Sequence, residues 1–128
     1  MNNNRRPNAA ALRAAERRER EDRAPRLNAE APDLKGLKLE IEESSNGSPV
    51  AEPKHTKRVV VDYAPALFLL PCGDSRCQDG GHDVTYAIMR SLREKQTKFA
   101  GEDSCNGSVG SAPCGRTLHY EATAEYKS

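Results

Sequence analysis

Pro71-Cys72-Gly73-Asp74-Ser75-Arg76-Cys77, followed by Cys105 and by Pro113-Cys114-Gly115-Arg116, is the part of the chain that decides its architecture. Four cysteines fall into two close pairs, Cys72 with Cys77 and Cys105 with Cys114, and Pro-Cys-Gly occurs twice. Proline fixes the approach to a thiol and glycine lets the backbone turn beneath it. Thiolates presented on two such loops can occupy the four corners of a tetrahedral Zn²⁺ site without a large surrounding fold. Cys72, Cys77, Cys105 and Cys114 are therefore the expected metal ligands, with Zn²⁺ as the expected cofactor. Disulfides or unligated thiols, or a site in which His82 or His119 replaces a cysteine, are the alternatives.

The rest of the composition makes a metal useful. The chain has 128 residues, 30% of them charged and only 5% aromatic, with no tryptophan. That composition suits one small domain with a thin core, and such domains commonly depend on a metal, disulfides or a partner. No apolar run approaches the roughly 20 residues of a membrane span. The opening Met1-Asn2-Asn3-Asn4-Arg5-Arg6-Pro7 lacks the apolar segment of a secretory signal. A cytoplasmic protein without membrane contact is expected, and in a reducing compartment cysteines are better read as metal ligands than as disulfides.

Outward from the cysteines, the pattern predicts an α+β fold, an antiparallel sheet with one packed helix in the order β-β-α-β-β, preceded by a flexible arm over residues 1–34. Leu37, Leu39 and Ile41 alternate with charged residues, as in a half-buried strand. Residues 44–56, with Asn46-Gly47, Pro49 and Pro53, read as a mobile loop. A second strand is expected over residues 58–63, and a buried run over residues 66–70 leads into Cys72. Val84, Ala87, Ile88 and Leu92 share one face of a helix that Asp83 can cap. Residues 97–103 and 116–126 then read as strands, the latter with Leu118, Tyr120, Ala122, Ala124 and Tyr126 on one side.

The Cys-x4-Cys and Cys-x8-Cys loops resemble the two-knuckle plan of zinc ribbons, with longer spacings than the usual Cys-x2-Cys. The resemblance covers these loops alone and implies metal binding. Four thiolates around Zn²⁺ carry excess negative charge, for which Arg76, Arg116 and backbone N–H groups are natural partners. The motifs of hydrolytic or deaminating zinc centres are missing, so a structural ion and a non-enzymatic protein are expected. His82-Asp83 reads most simply as a helix entry.

Residues 1–26 carry eight arginines against four acidic residues, and residues 30–53 six acidic residues against Lys35 and Lys38. Residues 8–23 read as a helix capped by Asn8, with Glu16–Arg20 and Glu19–Arg23 spaced as i,i+4 pairs. Leu12 is its only large apolar residue, so it should order chiefly on a partner. Arg13, Arg17, Arg18, Arg20 and Arg23 are the candidate contacts to nucleic acid or a ribonucleoprotein. A protein partner, with the chain acting as an adaptor, is the alternative.

Overall fold

The computed structural model describes residues 9–46, 48–74, 76–78 and 80–127, with residues 9, 10 and 48–53 described through their backbone alone. Three helices, α1 (Ala9–Arg23), α2 (Leu27–Glu30) and α3 (Thr85–Arg93), accompany eight strands. The strands are β1 (Leu34–Ser45), β2 (Ser48–Val59), β3 (Leu69–Leu70), β4 (His82–Asp83), β5 (Lys98–Ser104), β6 (Ser108–Val109), β7 (Ala112–Pro113) and β8 (Arg116–Tyr126). The fold is mixed α+β around an antiparallel four-stranded sheet ordered β2-β1-β8-β5, with two small ladders, β3-β4 and β6-β7, beside it. The β-β-α-β-β expectation omits those ladders, whose two-residue strands are too short to show a period.

The inward side of the sheet follows from alternation. Leu37, Leu39 and Ile41 of β1 and Leu118, Tyr120, Ala122 and Ala124 of β8 are buried, and α3 covers them with Ile88, Met89 and Leu92. Met89 takes the place expected for Ala87, which is exposed. Thr85 N–H donates to the Asp83 carboxylate at 3.1 Å, so Asp83 does help to start α3.

Within residues 44–56, expected as a mobile loop, Ser44 and Ser45 end β1, Asn46 is a turn residue and 48–56 belong to β2, while Gly47 lies outside the described residues. Asn46 adopts φ 50°, the left-handed geometry of a tight turn, and β2 pairs with β1 out to Ser45–Ser48. Prolines 49 and 53 are tolerated because β2 is an edge strand, on which half of the N–H groups need no ladder partner. The strand expected over 58–63 is only the last part of β2, which stops at Val59. In the 66–70 run only Leu69–Leu70 is strand: Ala66 N–H donates to Pro25 O and Phe68 N–H to the Thr85 hydroxyl, outside any sheet.

The N-terminal segment also departs from expectation. Its first eight residues, including Asn8, lie outside the described residues. Beyond them, α1 is helical, as its composition requires. Leu27, Ala31 and Leu34 are core residues, and Leu27 N–H donates to Ala64 O at 2.9 Å. The packed body therefore includes residues assigned from sequence to a flexible arm. The Glu19–Arg23 and Arg17–Glu21 pairs form along α1, whereas Arg20 reaches across to Asp83 at 3.5 Å.

Candidate metal centre

The chain brings its four cysteines together at one end of the sheet. Cys72 follows β3, and Cys105 follows β5 with its N–H on Arg116 O at 2.8 Å. Reciprocal hydrogen bonds between Gln78 and Ser108, at 2.8 and 3.0 Å, tie the first cysteine loop to the second. Cys114 N–H donates to Gly107 O at 3.0 Å, closing the second loop on itself.

The sulfurs meet at metal-like distances. Cys72 Sγ and Cys114 Sγ are 3.6 Å apart, as are Cys77 Sγ and Cys105 Sγ, and all four lie within 4.8 Å of one another. A disulfide requires about 2.05 Å, and all four cysteines are free thiols. A tetrahedron with metal–sulfur bonds of about 2.3 Å has edges of about 3.8 Å. The cluster can hold a metal ion. Asp74 N–H points at Cys72 Sγ (3.5 Å) and Gly107 N–H at Cys105 Sγ (3.4 Å), the backbone donation that thiolates attract.

Burial pushes the Cys72 thiol up strongly and the Cys77 thiol up to about 11. At Cys105 burial acts in the same direction but is outweighed by backbone N–H donation from Gly107 and Gly81 together with hydrogen bonds from the Cys77 and Cys72 thiols, so its pKa falls. Desolvated thiols facing one another are poorly arranged to ionise without a cation, and a cation that ionises them gains all their charge.

Glycines set the cavity around the sulfurs, though not the two in Pro-Cys-Gly. A Cβ on Gly80 would sit 2.4 Å from both Cys77 Sγ and Cys105 Sγ, and one on Gly107 would sit 2.4 Å from Cys77 Sγ. Arg76, expected to balance the thiolates, is engaged with Asp74, at 3.2 Å from Nε to Oδ1 and 3.1 Å from Nη2 to Oδ2. Arg116 Nε is buried without a partner among the described residues.

Three further residues adjoin the cysteines. Glu43 and Asp103 occupy the same cross-strand row, each opposite Leu118 of β8. His82 lies between them, its Nδ1 3.0 Å from Asp103 Oδ2 and its Nε2 3.6 Å from Glu43 Oε2. Glu43, His82 and Cys72 offer ligand atoms that also lie within 4.8 Å of one another. The sequence signal for Glu43 was present: it is the next inward position after Leu37, Leu39 and Ile41. Asp103 likewise continues the series Phe99, Gly101. His119 is instead on the outer face, 3.1 Å from Glu102.

The arginines of α1 divide between two environments. Arg13, Arg17 and Arg20 line an open cleft of about 720 Å³ together with Cys72, His82 and the carboxylates of Asp74, Asp83 and Asp103. Arg13 Nη1 is buried without a partner among the described residues. Arg18 and Arg23 are exposed. Among the described residues no helix is long and apolar enough to cross a membrane. No protein-family model, curated protein or solved structure matches this chain.

Proposed function

We propose that the protein is a non-enzymatic cytoplasmic module organised by a structural Zn²⁺ on Cys72, Cys77, Cys105 and Cys114, and that it docks on nucleic acid or a ribonucleoprotein. The observation that carries the metal assignment is the pair of 3.6 Å sulfur separations within a free-thiol cluster. An all-thiolate donor set favours Zn²⁺ over hard cations, and four protein ligands leave no open position for catalysis at that ion. The docking assignment draws on the cleft lined by Arg13, Arg17 and Arg20, in which Arg13 keeps an unpartnered N–H suited to a phosphate oxygen, while Arg17 and Arg20 pair with Glu21 and Asp83. Exposed Arg18 and Arg23 extend the charge along α1.

Native purification followed by identification of bound RNA, DNA and protein tests the docking. Recovery of nucleic acid with salt-sensitive affinity supports it, whereas affinity for nucleic acid equal in wild type and in an Arg17→Glu/Arg18→Glu/Arg20→Glu variant contradicts it. One observation favours a protein partner instead: Val60 and Tyr63 are 64% and 80% exposed just past the end of edge strand β2. On that reading a protein co-purifies, salt matters little, and Tyr63→Ala weakens the complex.

A further inference from the structure

His82 is the most deeply buried polar side chain in the described part of the molecule that lacks a full set of partners. Its side chain is 0% exposed, yet Nε2 has no hydrogen-bond partner among the described residues. The ring is held from the other side, with Nδ1 3.0 Å from Asp103 Oδ2. When Nδ1–H donates to this carboxylate, a lone pair is left on Nε2, the tautomer used by metal-binding histidines. That lone pair faces Glu43 Oε2 at 3.6 Å, and the same oxygen accepts Gly73 N–H at 3.2 Å.

A buried imidazole nitrogen facing a carboxylate oxygen is satisfied by a proton or by a metal ion between the two atoms. A hydrogen bond is a poor description, because N–H···O contacts fall at roughly 2.7–3.2 Å and charge-assisted ones at the short end. A metal bonded to both atoms at about 2.0–2.2 Å with a tetrahedral angle would separate them by about 3.4 Å. The observed spacing fits that better. Cys72 Sγ lies within 4.8 Å of both atoms and supplies a third donor. Cys72, His82 and Asp103 also border the arginine-lined cleft.

The geometry points to a second metal site, formed by Glu43, Cys72 and His82, that takes a divalent cation of the Zn²⁺ type and shares the Cys72 thiolate with the four-cysteine centre. Asp103 is its positioning residue, fixing the imidazole. The inference rests on the four-thiolate reading only through Cys72. The sequence places the parts economically: Glu43 and Asp103 flank Leu118 in one row of the sheet, and His82 on β4 pairs with Leu70, two residues before Cys72.

The test uses the full-length chain loaded with ¹¹³Cd²⁺, washed to constant metal content, and examined by metal analysis and ¹¹³Cd NMR. The expected result is two ions per chain and two resonances, one from an all-sulfur site and one from a mixed nitrogen, oxygen and sulfur site. His82→Ala should remove the second ion and its resonance while leaving the all-sulfur resonance. If His82→Ala does not fold, Glu43→Gln, which preserves side-chain shape, should likewise reduce the count to one. A single all-sulfur resonance in wild type, unchanged in either variant, overturns the second site and leaves the four-thiolate centre standing. Absence of any all-sulfur resonance removes the four-thiolate reading, and with it a site that shares Cys72.

Discussion

Cys77 Sγ and Cys105 Sγ stand 3.6 Å apart although their residues belong to different loops on either side of α3 and β5. Long-range closure of this kind brings the ends of a 27-residue segment together, and without a bond or an ion it must be maintained by weak contacts alone. Replacing Cys77 or Cys105 by Ser should therefore abolish the rise in melting temperature that bound metal gives the sheet end, to which structural Zn²⁺ contributes on the order of 10 kcal/mol in small folds. Differential scanning calorimetry with and without chelator checks this; unchanged melting in both variants contradicts it.

Gly80→Ala should weaken the cluster, though less than loss of a ligand. The added methyl would lie 2.4 Å from two sulfurs at once, and neither sulfur can withdraw without abandoning the cluster. We expect weaker metal retention and a loss of roughly 1–3 kcal/mol, the usual cost of overpacking a tight site. Gly36→Ala, whose Cβ would meet nothing closer than 3.9 Å, is the control and should retain metal as the wild type does. Chelator competition on the two variants separates them.

The sheet itself was readable in the sequence because alternation survives wherever one face is buried. Residues 37–41 and 116–126 declared their inward sides, and α3 its position. The hairpin turn was lost because Pro49 and Pro53 signal a loop unless the strand is known to be an edge, which is a tertiary fact. The cysteines were legible as a cluster and His82 as a candidate beside them, but Glu43 and Asp103 were legible only through strand alternation. Glu43 and Asp103 carry loop and surface chemistry by type, and only continuing the inward series past Ile41 and Gly101 places them against His82. Gly80 and Gly107 were similarly hidden, since a glycine's closeness to sulfur depends on how the two loops meet.

Metal-free and metal-bound protein should respond to alkali differently. Burial raises Cys77 from 9.0 to about 11 and Cys72 in the same direction, so the folded metal-free state prefers neutral thiols. The contribution of Cys77 is then complete below pH 9 and is lost as pH rises from 9 toward 11, because the unfolded chain releases its proton first. Melting temperature measured against pH in chelator should fall over that window more steeply for wild type than for Cys77→Ser. The metal-bound protein, already deprotonated at sulfur, should lack this component and instead release its ion on acidification. Equal alkaline slopes in wild type and Cys77→Ser would contradict the burial of that thiol.

Core and arm should differ sharply in sensitivity. Leu39→Ala and Ile88→Ala remove side chains that are 0% exposed and should cost about 2–5 kcal/mol each. Leu12→Ala, on a residue of α1 that is 47% exposed, should change stability by no more than about 0.5 kcal/mol. Urea denaturation of the three variants gives the comparison; a large loss for Leu12→Ala would reveal apolar docking of α1 that its exposure does not suggest.

The most direct test of the metal-organised fold is to count bound metal and reactive thiols in the natively purified chain before and after chelation. The account predicts Zn²⁺ in the native protein, slow alkylation of Cys72, Cys77, Cys105 and Cys114 while it is bound, and rapid alkylation of all four once it is removed. A folded, metal-free protein whose thiols react at once, or are already paired as two disulfides, would contradict it.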